Sequence, residues 1–381
     1  MRLLSALAVA AVLAGHAARA AIPCPIEMGS VRPESGASAY SGRSFANGVA
    51  MALDRIQQEG GIAGCKVDII AYDSQSQPGT AATLTRRLLF SDHVPFVLGS
   101  SMSVESLAML EVTETAQVPL YVASAASAKI TNQGFKWVWR QSVVDVIAAR
   151  ALARYVGTEL GWKKVAVAYE NSDYGRPTWQ TVIRPALEQL GVTVTTAEAI
   201  TSGDSDFSSQ LLRIRDSGAQ GIIYWGYLKE ASILVQENQQ LKIDLPIAAG
   251  TGVVYPSFVK LLSPETQDAT TLYGVSQFIP GTDDPQQKAW VDAYRARFGI
   301  EPDVTALDAY DMMFVLKKAI EAAGSMDADK LQAALRTVQY TGVGGPISFD
   351  DTGQARRAVE IVKLTPKAGP GFSVVKIIPA D

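Results

Sequence analysis

Apolar residues along this chain alternate between short continuous runs and longer stretches in which they recur every three or four positions. The runs at 26–31, 66–73, 94–98 and 118–123 read as strands, and the spacing at 48–56, 80–90 and 104–116 predicts helices. Gly60-Gly61 closes the first helix, and a serine-rich loop, Ser124 to Ser127, follows the fourth strand. The alternation starts again near Ser142, with helices expected at 143–160, 178–189, 207–216 and 231–240 and strands at 164–169, 192–194, 221–225 and 246–249. Continuous apolar strands joined by helices make a parallel sheet covered on both faces. Two such series, divided by an irregular aromatic stretch at 135–142, predict two doubly wound α/β lobes rather than one barrel. The last third is mixed: a strand at 272–278, helices at 285–298, 305–323 and 328–338, a short strand at 347–349, a turn at 350–353, and strands at 359–364 and 372–378.

Composition sets the compartment. At 381 residues and 48% hydrophobic content the chain can bury two cores. Residues 1–20 read as an export signal: Arg2 is the positive start, 3–13 the apolar run, and Ala18-Arg19-Ala20 the small-x-small cleavage site. No cysteine follows Val12-Leu-Ala-Gly, so a lipid anchor is not expected; a soluble monomer, cleaved near Ala20 and released to the periplasm, is. Loss of Arg2 and Arg19 takes the formal charge from −4 to −6, and no basic run remains for nucleic acid or anionic membranes. Cys24 and Cys65 stand just ahead of the first and second strands. In an oxidising compartment they either pair or stay as two buried thiols.

Histidine counting narrows the chemistry. His16 leaves with the signal, and His93 alone cannot build a Ser-His-Asp triad, a Cys-His pair or a multi-histidine metal site. G-x-S-x-G, G-x-G-x-x-G and phosphate-binding glycine loops are all absent from the sequence, and no cofactor is expected. In open α/β sheets ligands bind beyond the carboxyl ends of the strands. Those positions hold Ser100, Ser101, Ser103, Ser124 and Ser127 in the first lobe and Glu170, Asn171, Asp173, Tyr174, Tyr227, Lys229 and Thr251 in the second. Ser103 opens a helix, where it is either a simple N-cap or part of an anion socket built with the unpaired N–H groups. Hydroxyls facing aromatics suit a small ligand with an anionic head and an apolar or aromatic body.

Taken together, Gly48-Val-Ala-Met-Ala-Leu-Asp-Arg-Ile56 with Gly60 to Gly64, Tyr72-Asp73 before Pro78, Gly99 to Ala108, Val118-Pro-Leu, Asp173-Tyr-Gly175, Asp206-Phe-Ser208 and Tyr224-Trp-Gly-Tyr227 make the chain resemble a known family. It is similar to the periplasmic substrate-binding proteins of the branched-chain amino acid (leucine/isoleucine/valine-binding) ABC transporter family, over essentially its whole mature length. The resemblance implies a type I binding-protein fold: two lobes joined by three crossings near 140–145, 269–274 and 355–358, closing on the ligand by a hinge. The implied division is 21–142 plus 272–356 for lobe I and 143–271 plus 357–381 for lobe II. It also implies that Ser103 and the Ser124 loop hold the ligand's carboxylate, that Tyr174 and Tyr227 form an aromatic wall, and that Tyr40 adds a third ring; Ser101, Ala126, Ser127 and Thr251 are the further ligand-binding residues expected.

Two departures bear on the ligand. Members that bind ordinary amino acids carry a hydroxyl two positions after Ser124, where this chain has Ala126, with Ser127 one place later. They also carry an acid between two glycines to meet the ligand's α-ammonium, where this chain has Gly250-Thr251-Gly252. Thr251 cannot neutralise a cation, so the ligand either lacks a free α-amino group or draws on Glu230 or Asp173. The expected protein is a receptor that delivers a small carboxylate-bearing solute, an amino acid or an aromatic acid, to an ABC permease. An exported hydrolase and a sensory module on the same scaffold are the alternatives.

Overall fold

The computed structural model describes residues 22–280, 284–366 and 371–379; the expected export signal at 1–20 lies outside them. In the first series, strands β1 (Ile26–Arg32), β2 (Val67–Asp73), β3 (Val97–Leu98), β4 (Leu120–Val122) and β5 (Val138–Arg140) alternate with helices α1 (Ala39–Gln58), α2 (Pro78–Phe90) and α3 (Ser103–Ala116). Their strands pair in parallel in the order β2-β1-β3-β4-β5. The second series runs α4 (Asp145–Thr158), β6 (Lys164–Glu170), α5 (Gly175–Thr178), α6 (Arg184–Gln189), β7 (Thr193–Ile200), α7 (Ser208–Asp216), β8 (Ile222–Trp225), α8 (Leu228–Gln240) and β9 (Ile247–Ala249). The short helices α9 (Pro256–Val259) and α10 (Pro264–Ala269) lead to β10 (Leu272–Ser276). Its parallel order, β7-β6-β8-β9-β10, repeats the first. In each unit the order reverses beside the first strand, which opens a crevice at the strands' carboxyl ends.

The chain then returns to the first lobe as α11 (Pro285–Phe298), α12 (Val304–Ala323), α13 (Ala328–Thr337) and the hairpin β11 (Tyr340–Gly342) and β12 (Gly345–Ile347). There the amide of Asn47 donates to the Tyr294 hydroxyl at 3.1 Å, and Arg297 pairs with Asp54. Strands β13 (Val359–Leu364) and β14 (Phe372–Ile378) finally add antiparallel beside β10, giving a seven-stranded sheet.

Central strands such as β8 are buried along their whole length, which is why they read as unbroken apolar runs. Edge strand β7 is half exposed and polar, and it continues to Ile200, beyond the apolar signal at 192–194. Helix α1 begins at Ala39, well ahead of the expected 48–56. Its first turns bury Ser41 and Ser44, whose hydroxyls bond to the Ser38 carbonyl (2.9 Å) and to the Asp303 carboxyl, so polar residues occupy the core-facing stripe. Further along, a Cβ at Gly48 would stand 2.2 Å from the Ala306 carbonyl oxygen; α1 and α12 touch backbone to backbone there. The helix expected at 178–189 is broken by a π-helical turn at Trp179–Ile183. Pro185 has no N–H to give the Thr181 carbonyl, and its ring blocks that position, which a wider turn accommodates.

The second crossing lies later than expected. A crossing at 269–274 would place the strand at 272–278 in lobe I, yet Leu272–Gly274 pair with Ile247–Ala249 and Tyr273–Ser276 with Glu360–Lys363 of the second sheet. As in the first lobe, the fifth parallel strand completes the unit and the chain leaves only after it, so the boundary expected before Leu272 moves behind Ser276. The crossings are bonded to one another. Arg140 donates its N–H to the Gly353 carbonyl and accepts from the N–H of Ala355, both at 2.8 Å. The Gln354 amide donates to the Ser142 carbonyl at 2.8 Å, and the Val143 N–H donates to the Gln277 amide oxygen at 2.7 Å.

Cys24 and Cys65 form a disulfide across a sequence separation of 41, fastening the entry of β1 to the entry of β2. Closing a loop of that length removes unfolded-state entropy worth about 4 kcal/mol. Replacing both cysteines by serine is therefore expected to lower the unfolding free energy by about 4 kcal/mol in equilibrium urea denaturation. An unchanged midpoint would show that the bond constrains nothing.

Candidate functional site

The carboxyl ends of both sheets converge on a cavity between the lobes. Tyr40, Ser41, Ser101, Met102, Ser103, Ser124, Ala126 and Val304 line it from the first lobe, Tyr174, Tyr227, Thr251, Gly252 and Tyr255 from the second, and Gln277 from the second crossing. None of these side chains carries a charge.

The first-lobe half is built on the turn from β3 into α3. The Ser100 hydroxyl donates to Glu105 at 2.5 Å and accepts the Met102 N–H at 3.1 Å, while Ser74 donates to the same carboxylate at 2.8 Å. Glu105 is fully buried, and burial pushes its carboxyl above the usual range. This acid holds the turn in shape; an apolar helix sequence gave no sign of it. The residue capping α3 is Met102, and Ser103 is the first helical residue. Ser103 is thus no N-cap: its oxygen accepts the N–H of Ser127 at 3.2 Å, which leaves its own proton available. Beside it lie the first-turn N–H groups of a 14-residue helix, which have no intrahelical acceptor. The Ser101 and Ser41 hydroxyls are 2.8 Å apart, and the buried Ser124 hydroxyl has no partner.

The second-lobe half is aromatic. Tyr174 and Tyr227 stack with centroids 4.9 Å apart, and Tyr40 meets Tyr255 edge-on across the cleft at 5.5 Å. The Tyr174 hydroxyl bonds to the Thr251 hydroxyl at 3.2 Å and accepts the Gly252 N–H at 3.1 Å. A Cβ at position 252 would stand 2.4 Å from the Gly226 carbonyl oxygen, so this approach requires glycine. Burial raises the Tyr40, Tyr174 and Tyr227 phenols well above their ordinary range, which keeps them neutral. The Tyr227 hydroxyl is buried without a partner.

Other candidates are engaged elsewhere. Ser127 does not line the cavity: its hydroxyl donates to the Asp173 carbonyl of the opposite lobe at 2.9 Å, and its carbonyl accepts from the Arg140 guanidinium. The Asp173 carboxylate pairs with Lys129 across the cleft. Glu230 accepts the Gly203 N–H at 2.9 Å, Glu170 accepts from Ser172, and Asn171 accepts from Arg176. His93 is exposed in a turn with φ of 56°, and no cluster of three metal-ligating side chains occurs among the described residues.

Several residues at or beside the cavity escaped sequence reading. Ser41 was hidden in a polar helix start, Tyr255 and Gln277 stand in irregular segments, and Asp145 looked like an ordinary acid in a first helical turn. Asp145 is 1% exposed, with its carboxyl oxygens 3.5 Å from the Thr251 hydroxyl and 3.4 Å from that of Thr178. Burial, opposed by the field of Arg140, pushes its pKa up to about 7.

A family model described as periplasmic binding protein matches residues 25–370. A Pseudomonas aeruginosa leucine-, isoleucine-, valine-, threonine- and alanine-binding protein is 25% identical over 355 residues, covering 93% of each chain. The crystal structure of a Streptococcus pneumoniae branched-chain amino acid transporter substrate-binding protein in complex with isoleucine is 26% identical, with a TM-score of 0.82 over 93% of this chain and 99% of that one. A solute-binding protein of an ABC transporter from Rhodopseudomonas palustris, in complex with 3,4-dihydroxybenzoic acid, shares the fold at 20% identity, with a TM-score of 0.85 over 93% and 98% of the two chains.

Buried polar atoms left without partners cost stability in the empty protein, and are expected to find partners on a ligand. Ser124→Ala and Tyr227→Phe should therefore leave the ligand-free thermal midpoint unchanged or raise it, while each weakens ligand binding by about tenfold. A midpoint that falls as far as the affinity does would mark both hydroxyls as structural.

Proposed function

The chain belongs to the periplasmic binding protein family, whose members are solute receptors rather than enzymes, and on that premise we propose that it captures a small carboxylate-bearing solute between its lobes and delivers it to the permease of an ABC importer. The receptor acts as a monomer, exported by the signal at 1–20, and has no dealings with nucleic acid. The observation that carries this reading is the chargeless cavity with its serine cluster at the N-terminus of α3. Partial positive charge at a helix start and hydroxyl protons hold an anion without a lysine or arginine.

Ser101, Ser103, Ser124 and the backbone of the Ala126 loop receive the carboxylate, while Tyr40, Tyr174, Tyr227 and Tyr255 enclose the body of the ligand. Thr251 stands where an ammonium would need an acid. This supports a ligand without a free α-amino group, and an aromatic acid fits the four rings. Glu230 and Asp173 offer no substitute, since one is bonded to Gly203 and the other to Lys129.

A thermal-shift screen of amino acids, aromatic acids and amides tests the reading, because a ligand at about 100 times its Kd stabilises the native state by about 2.7 kcal/mol. Stabilisation by aromatic acids is expected; silence across all three classes counts against it. Ser103→Ala should weaken the binding found by ten- to a hundredfold, about 1.5–3 kcal/mol for a hydrogen bond to a charged group. Thr251→Asp should raise affinity for a free amino acid and lower it for the native ligand, whereas equal effects on both would overturn the account of the missing ammonium partner.

A further inference from the structure

Asp145 stands one residue behind the cavity wall on two sides. Its N–H donates to the Ala126 carbonyl at 2.9 Å, its carboxyl lies 3.5 Å from the Thr251 hydroxyl, and both Ala126 and Thr251 line the cavity. The carboxyl faces that hydroxyl and the hydroxyl of Thr178, both at long range, and the indole N–H of Trp225. Among the described residues no cation is bonded to it. Arg140 on β5 acts on it through its field, but the guanidinium nitrogens bond to Gln354, Ser127 and Thr131. Tyr174 and Tyr227, just ahead of α5 and in the turn after β8, face it as neutral phenols. On the other elements around α4, Arg176 bonds to Asn171, Arg184 and Glu188 pair with each other, Lys363 lies over the Tyr273 ring, and Glu360 is a further acid. Arg150 and Arg154 of α4 itself are exposed.

Resting on the reading that the cavity holds a carboxylate, we propose that the anion enters together with a proton that settles on Asp145, so that the closed cavity gains no net charge. The physical ground is that a ligand carboxylate in the cavity and the buried Asp145 carboxylate behind its wall, with no cation lining that wall, do not both stay ionised. The ligand's carboxylate meets a helix N-terminus and several hydroxyls, whereas Asp145 has two distant hydroxyls and one indole N–H, so the proton goes to Asp145. Burial has already brought that carboxyl to about 7, and the ligand's field completes the transfer. The step is a protonation by solvent: Asp145 gains one proton, and no bond of the ligand changes. A zwitterionic amino acid would act in the opposite sense, because an ammonium beside Thr251 favours the ionised form and expels the proton. Asp145 thereby distinguishes ligands by charge without touching them.

Calorimetric titration of the mature protein tests this, with benzoate, 4-hydroxybenzoate and leucine as probes. Runs at about pH 7.5 in buffers of different ionisation enthalpy read the protons exchanged on binding. A substantial fraction of one proton should be taken up per aromatic acid bound, and affinity should fall toward ~tenfold per pH unit above neutrality. Asp145→Asn should abolish the uptake and flatten the pH profile. Leucine, if it binds, should release a proton; aromatic-acid binding without uptake, uptake that persists in the Asn variant, or binding of leucine with proton uptake would each overturn the proposal. Should no probe bind, the carboxylate reading loses its support, and the ligand-free protein still decides the role of Asp145. A carboxyl raised in the folded state holds a proton that the unfolded chain releases near pH 4, so wild type should lose thermal midpoint relative to Asp145→Asn as pH rises from about 4 to about 7. A difference that is flat across that window overturns the proposal independently of any ligand.

Discussion

A buried guanidinium joins the serine-rich loop after β4 to the interlobe crossings. Arg140 is fully buried at the end of β5, where burial brings its pKa down to about 10, still leaving it charged at neutral pH. A charge in that position is tolerable only when its donors are satisfied. They bond to the Ser127 carbonyl, to the Thr131 hydroxyl at 3.0 Å and to the Gln354 amide oxygen at 2.5 Å. The first partner is the loop that gives its N–H to Ser103, and the last is the third crossing between the lobes. One side chain therefore fixes both the serine socket and the pivot about which the lobes are joined.

The site is electrostatically economical. Its polarity comes from hydroxyls, aligned peptide groups and a helix terminus, all preorganised by buried bonds such as those of Glu105 to Ser74 and Ser100. Dipoles fixed in this way stabilise an anion with little reorganisation and carry no desolvation cost of a full positive charge. The second lobe supplies rings held by the Tyr174–Thr251 and Gly252–Tyr174 bonds. The two halves of the cavity wall belong to different lobes, so a ligand held by both would have its full set of contacts only with the lobes together.

Repetition of one topology explains where these halves lie. Both parallel units run in the same strand order, so each brings its loops to the carboxyl ends beside the first strand. The added antiparallel pair β13 and β14 covers the edge of β10 and returns the third crossing to the second lobe.

The sequence by itself determined the alternation of strands and helices, the two lobes and part of the cavity wall. Those features follow from local periodicity and from the rule that ligands bind beyond the ends of parallel strands, so Ser101, Ser103, Ser124, Tyr174, Tyr227 and Thr251 were legible as a set. Tyr40 and Ala126 were legible only through family resemblance. Tertiary structure alone decided what burial and long-range bonding control: that Ser41 faces the core from a polar helix start, that Ser127 bridges the lobes instead of lining the cavity, and that β10 closes the second sheet. It also decided the place of Asp145, an ordinary first-turn acid in the sequence. Its neighbours Thr178, Trp225 and Thr251 come from distant segments, and only their convergence removes the water that would keep it an ordinary carboxylate.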